Sequence, residues 1–245
     1  MYINDISLKK AEWFATLSAL AYKNEQTHKQ FFLSEGIGTF KSLDYDGTQA
    51  IMYCNAGEIG IVFRGTQPTE FKDILADLDI RKKKAKKDDG YVHSGFQESL
   101  DDLWKDIISF TDKYEHHRLY FAGHSLGGAL ATLAAARINK CTVYTFGSPR
   151  VGGRKFIQQN KNILHWRFVN NNDIVTSIPT IIRWKHHGNR VYINRKGQIT
   201  SAIGVKVFLD SILGHLSSWV KLKPFDSFSD HNILKYLKHI KASIE

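Results

Sequence analysis

The chain has 245 residues, enough for one well-buried α/β domain, and its 42% hydrophobic and 24% charged content is that of an ordinary globular protein, which excludes disordered and low-complexity classes. No apolar run is long enough to span a bilayer, and two cysteines, Cys54 and Cys141, exclude a disulfide framework. The net charge of +10 favours anionic partners such as nucleic acid, anionic lipid or acidic substrates, with a plain solvated basic surface as the alternative. No nucleic-acid motif accompanies it, so no nucleic-acid partner is expected.

Ser7 to Lys23 reads as an amphipathic helix with Ala11, Phe14, Leu17, Ser18 and Ala21 on one face. The N-terminus lacks a basic segment followed by an apolar one, so the expected location is the cytoplasm or export without a visible signal peptide. A polar connection leads to Gly36. Phe40 to Tyr45, Gln49 to Asn55 and Glu58 to Phe63 then read as an antiparallel meander turned at Asp46-Gly47 and Asn55-Ala56-Gly57. After Arg64-Gly65-Thr66 comes an amphipathic stretch, Phe71 to Leu78, capped by Thr69. The densest charge follows: Arg81, Lys82, Lys83, Lys84, Lys86 and Lys87. Tyr91 to Phe96 opens a helix running to about Tyr114.

Leu119 to Ala122 is a strand, Ala129 to Ala136 a run of small helix formers, and Gly123-His124-Ser125-Leu126-Gly127 lies between them. Strand, sharp turn and helix with a serine at the apex form a nucleophile elbow, which needs glycine two residues either side of the serine. Thr142 to Phe146 is the next strand, a short helix starts near Gly153, and Ile163 to Val169 is a further strand. The Asn-rich loop 170–179 follows, then a strand from Arg190 to Asn194, a helical pattern from Ile203 to Val220, and a last helix from Asp230 to Ile240. Strands alternating with helices after residue 90 give a mostly parallel sheet, and no linker divides the chain. Both cysteines sit in apolar strand patterns and are expected as buried free thiols.

A serine needs a histidine to take its proton and a carboxylate to orient that histidine. In α/β-hydrolases these follow in the order serine, acid, histidine. Asp173, in the loop after the 163–169 strand, is the expected acid, and His231, at the start of the last helix, the expected base. His124 is too close to Ser125 along the chain and is read as packing beside the elbow. His93 precedes the serine, His165 lies within a strand, and His186 and His187 read as a surface loop. The backbone N–H of Leu126 and that of Thr66 are the expected oxyanion donors.

These residues resemble the class 3 lipases, the fungal-lipase-like branch of the α/β-hydrolases. The resemblance is carried by Val62-Phe63-Arg64-Gly65-Thr66, Asp77-Leu78, Val92-His93-Ser94-Gly95-Phe96, Gly123-His124-Ser125-Leu126-Gly127-Gly128-Ala129 and Thr145-Phe146-Gly147-Ser148-Pro149-Arg150-Val151-Gly152. Asn172-Asp173-Ile174-Val175 and Asp230 to Tyr236 complete it, over residues about 50 to 240. It implies an α/β-hydrolase domain over 1–245 that cleaves acylglycerol or phospholipid esters without metal or organic cofactor. By resemblance Ser125, Asp173 and His231 form the triad, Thr66 and Leu126 the oxyanion hole, and 67–78 a lid. The basic run beside that lid is not demanded by the family; it suits peripheral contact with an anionic membrane. A catalytically silent scaffold of the same fold is the competing expectation.

Overall fold

The structure, a computed structural model, describes residues 7–66, 82–87, 90–114, 116–179, 183–200 and 229–244. The expected lid at 67–78, Arg81 and the helical pattern from 203 to 220 lie outside the described residues. Helix α1 (Leu8–Leu20) is capped by the Ser7 side chain, which accepts from the Lys10 N–H, and its buried face includes Ala11, Phe14, Leu17 and Ser18, as the spacing predicts. Helix α2 (Glu25–Ser34) replaces the expected polar connection. Asn24 caps it, yet it buries only His28 and Phe32, too thin a stripe for a periodicity argument.

Strands β1 (Thr39–Tyr45), β2 (Thr48–Asn55) and β3 (Glu58–Phe63) form the antiparallel meander. β4 (Lys82–Lys84) and β5 (Tyr91–His93) pair as a separate two-stranded sheet, so helix α3 (Ser94–Asp112) starts at Ser94, not at Tyr91. Lysine is a poor strand former, which hid this pair in the sequence. β6 (Arg118–His124), α4 (Leu126–Ile138), β7 (Thr142–Phe146), α5 (Arg154–Gln159), β8 (Leu164–Asn170), β9 (Asn189–Ile193), β10 (Ile199–Thr200) and α6 (Ile233–Lys241) complete the described chain.

The large sheet has the order β1-β2-β3-β6-β7-β8-β9-β10, parallel from β3 to β9 with antiparallel margins. Side chains alternate across it. Phe121 and Val143 join a core with α3, α4 and α5 on one face, while Ala122 and Tyr144 join a second core with α1, α2 and α6 on the other. Helices on both faces are what a parallel sheet requires. The C-terminal ends of β3, β6, β7 and β8 thereby converge on one edge, where ligand sites of open α/β sheets collect.

Two further expectations are corrected. Cys54 and Cys141 are free but only partly buried. His187 is buried and His186 half-buried, because both rings bond inward: His187 Nε2 to the Asn160 carbonyl at 2.8 Å, His186 Nε2 to the Thr176 carbonyl at 2.7 Å. In the basic run Lys83 pairs with Glu98, Lys86 with Asp101, and Lys87 donates to the Arg137 carbonyl.

The His187 contact fixes a chain of tautomers. A carbonyl only accepts, so His187 carries its proton on Nε2 and accepts on Nδ1 from His165 Nδ1–H at 3.0 Å. His165 Nε2 is left to accept from the Thr145 hydroxyl at 2.8 Å. No extra proton fits. Burial is the leading cause that holds His165, His186 and His124 well below the usual histidine range and His187 below it. The unfolded chain therefore takes up protons below about pH 6.5 that the folded chain refuses, at ~1.4 kcal/mol per pH unit for each such histidine. Stability is complete above that pH and declines as pH falls. Thermal denaturation from pH 8 to 5 should show Tm level above about 7 and dropping steadily below 6.5; a level Tm down to pH 5 contradicts this account.

Candidate active site

Ser125 sits at the hinge between β6 and α4 with φ 59° and ψ −128°, a strained backbone for a non-glycine residue. Its neighbours show why the strain is held. A Cβ on Gly123 would lie 2.3 Å from the Gly127 backbone, and one on Gly127 would lie 2.1 Å from the Phe63 carbonyl oxygen. Only glycine lets β6, α4 and the end of β3 approach this closely. The Ser125 N–H donates to the Phe146 carbonyl at 3.0 Å, tying the apex to β7.

The three residues expected to act together meet here. Ser125 Oγ lies 2.8 Å from His231 Nε2, and His231 Nδ1 lies 3.0 and 2.9 Å from the two oxygens of Asp173. Ser125 and the Asp173 side chain are fully buried, and His231 nearly so. With Nδ1–H donated to a carboxylate, Nε2 is free to accept the serine proton. Asp173 is held by further donors: the Val175 N–H at 2.9 Å and the Tyr236 hydroxyl at 2.6 Å. Burial first, then the charge of Asp173, pushes the Tyr236 phenol well above its ordinary range, so it remains a donor. Gly147, at φ +60°, runs beneath the pair, and a Cβ there would come within 2.6 Å of Asp173 Oδ2 and 2.9 Å of His231 Nδ1.

Thr66 and Leu126 share the lining of a cavity of about 250 Å³ with Gly65 and Leu130. The loop bearing Thr66 is pressed against the elbow, since a Cβ on Gly65 would meet the His124 carbonyl oxygen at 2.5 Å. Leu126 opens α4, where the first N–H groups lack helical acceptors. A larger cavity of about 700 Å³, with largely apolar walls that include Leu20, Phe31 and Ile233, reaches His231 from the side of α1 and α6. Among the described residues no group of three or more His, Cys, Asp or Glu side chains could hold a metal ion, and no helix is long and apolar enough to cross a membrane.

Sequence reasoning missed the supports. His124 Nε2 donates to the His231 carbonyl at 2.7 Å, so its Nδ1 must accept, and Tyr22 Oη donates there at 2.8 Å. Tyr22 is itself hydrogen-bonded by the Gly65 backbone. One line of bonds thus joins the Thr66 loop, α1, the elbow and the His231 segment. Asn170 and Asn171 add side-chain bonds to the Asp230 carbonyl and carboxylate. The Asn-rich run before Asp173 was visible in sequence; its partner 60 residues on was not.

A buried Ser–His–Asp line on a strand–elbow–helix unit defines a serine-hydrolase arrangement on an α/β-hydrolase sheet. The family model for Lipase (class 3) matches residues 60–182, half of the chain. The chain belongs to the class 3 lipase family. Among curated proteins it is 39% identical over 115 residues to Toxin TseL of Vibrio cholerae, covering 44% of this chain and 18% of that one. It is 28% identical to a Lipase of Rhizomucor miehei, over 80% of this chain and 57% of the other, and 29% identical to the secreted mono- and diacylglycerol lipase MDL2 of Malassezia globosa, over 73% and 67%. The chain therefore spans from about a fifth to two thirds of the length of these relatives. Among solved structures, the lipase of Rhizopus microsporus var. chinensis superposes with a TM-score of 0.71 at 24% identity, covering 91% of this chain and 85% of that one.

Tyr236→Phe deletes the O–H donor to Asp173 and the acceptor of the Asn170 N–H at 3.0 Å. With a charged acceptor left one bond short, the variant should lose about 2–3 kcal/mol of stability, read as a lower urea midpoint at unchanged m. A midpoint equal to wild type contradicts the support assigned to Tyr236.

Proposed function

We propose that the chain is a carboxylic ester hydrolase of the serine type, with acylglycerols as its substrate class and anionic phospholipids as a second candidate. The observation that carries this reading is the unbroken, buried line from Ser125 through His231 to Asp173. Membership of the class 3 lipases, and the relatives named for mono- and diacylglycerol hydrolysis, support the substrate class.

His231 Nε2 takes the Ser125 proton as Oγ attacks the ester carbonyl, and Asp173 steadies the imidazolium that forms. The N–H groups of Leu126 and Thr66 hold the tetrahedral oxyanion; each such donor is worth about 3–4 kcal/mol in the transition state. His231 then returns the proton to the departing alkoxide, which leaves as the alcohol. Water, deprotonated by the same nitrogen, attacks the acyl-serine and releases the fatty acid and free Ser125. The apolar walls of the larger cavity beside His231 suit an acyl or alkyl chain. A single catalytic unit over 1–245, with 67–78 as its cover, belongs to the same proposal and rests on the sequence for that stretch.

Peripheral contact with anionic membranes through Arg81, Lys82, Lys83, Lys84, Lys86 and Lys87 is also part of this reading. Lys82, Lys83 and Lys84 are exposed on β4, and exposed ion pairs such as Lys83 with Glu98 yield readily to a stronger anionic surface.

Fatty-acid release should be titrated for wild type and Ser125→Ala on triacylglycerol emulsion and on phosphatidylglycerol vesicles. We expect Ser125→Ala to lower turnover at least ~10⁴-fold with Tm unchanged within about 2 °C; equal release by both proteins overturns the assignment, and the preferred substrate names the lipid class. In a separate sedimentation assay, replacing Lys82, Lys83, Lys84, Lys86 and Lys87 with Gln should weaken binding to phosphatidylglycerol vesicles at least ~10-fold, since each basic residue near the surface adds about 1 kcal/mol. Unchanged binding removes the membrane role.

A further inference from the structure

On β8, His165, Arg167 and Val169 alternate with the core residues Trp166 and Phe168, and on β9 Arg190 stands directly opposite Arg167 in the parallel register. Like charges opposite one another on adjacent strands repel. Arg167 is nevertheless 93% buried, at 7% relative exposure, and its Nε has no hydrogen-bond partner. Arg150, in the loop after β7, also acts electrostatically on Arg167, and its Nη1 donates to the carbonyls of Ser177 and of Pro179, the latter at 2.5 Å. The His186 ring stands beside them and feels the charge of all three arginines.

Among the described residues, the charged groups acting on Arg167 are Arg190 and Arg150, together with the neutral phenol of Tyr236; no carboxylate is among them. Burial first, then Arg190 and Arg150, pulls the Arg167 guanidinium down to about 9. Arginine otherwise stays charged far above that value, and a buried guanidinium is normally paired, often by two parallel bonds to one oxyanion. The Asp173 carboxylate cannot serve, because its oxygens are already taken by His231, Tyr236 and Val175. Arg190 is exposed and Arg150 half-buried, so two of the three arginines reach solvent.

We propose that Arg167, Arg150 and Arg190 form a binding site for a tetrahedral phosphate-type oxyanion, the counter-ion that no described residue supplies to Arg167. The site lies outside the acid loop, reached from it through His186 and the Thr176 carbonyl, and holds its ligand whether or not Ser125 reacts. The same chemistry is offered by free phosphate and by the phosphodiester of a lipid headgroup.

The test is thermal denaturation of the full chain in inorganic phosphate against chloride at matched ionic strength. Wild type and Ser125→Ala should both gain about 3 °C or more from 10 mM phosphate over chloride. Arg190→Glu places a carboxylate opposite Arg167; it should raise Tm in phosphate-free buffer and abolish the phosphate response. Arg167→Met should also lose the response, and if it fails to fold, Arg190→Glu alone decides. Slower hydrolysis of phosphatidylglycerol vesicles in phosphate, with p-nitrophenyl butyrate hydrolysis unchanged, identifies the headgroup as the source; no effect on either ester identifies free phosphate. A wild-type Tm that follows ionic strength alone, or a phosphate response that survives Arg190→Glu, overturns the site. Ser125→Ala keeps this outcome separate from that of the proposed hydrolase.

Discussion

The structure turns on how closely a strand and a helix can approach at Ser125. Backbone meets backbone at Gly123 and Gly127, and nothing larger than hydrogen fits between them. That contact holds the serine at φ 59°, with Oγ lifted toward His231 and the first N–H groups of α4 beside it. Backbone strain of order 1–3 kcal/mol persists only where the surroundings over-determine it. Here they do so through the Ser125 N–H bond to β7 and the pressure of the Gly65 loop from β3.

Around this hinge the site is built as a buried polar network rather than as loose side chains in a cleft. Asp173 receives donors from His231, Tyr236 and the Val175 backbone, so its charge is matched without water. Such a network rigidifies when every member is satisfied and costs heavily when one is removed. His124 extends the same logic to the rear. It stays neutral because one ring nitrogen must donate to the His231 carbonyl while the other receives Tyr22. In the proposed reaction a charged ring there would also face the imidazolium formed at His231, and the two rings lie 4.5 Å apart.

Much of the fold was legible in the sequence, for definite reasons. The meander showed in turn residues, the parallel strands in apolar runs, and the elbow in glycines that only special backbone needs. The chemistry of serine activation called for an acid and a base, and the α/β-hydrolase chain order pointed to Asp173 and His231 for them. What stayed hidden depends on partners far along the chain. Helix α2 has too few buried positions to show a period, and β4 is written in lysines. His187 looked like loop because its acceptor is a backbone carbonyl 27 residues earlier. Tyr236 reads as a core aromatic until its hydroxyl is seen on Asp173, and Arg167 reads as one strand residue among others until Arg190 is found opposite.

The line of bonds from Gly65 through Tyr22 and His124 to the His231 carbonyl has a consequence in time. Ser125 and His231 are separated by 106 positions, and Tyr22 lies 102 positions before His124. Contacts of such separation close late, after local strand pairs and the β6–α4 turn have formed. A folding chain can therefore hold its sheet, and even its strained serine, while it is still chemically mute. In the folded chain α6 packs against α1, which sets His231 beside its rear support, His124 and Tyr22.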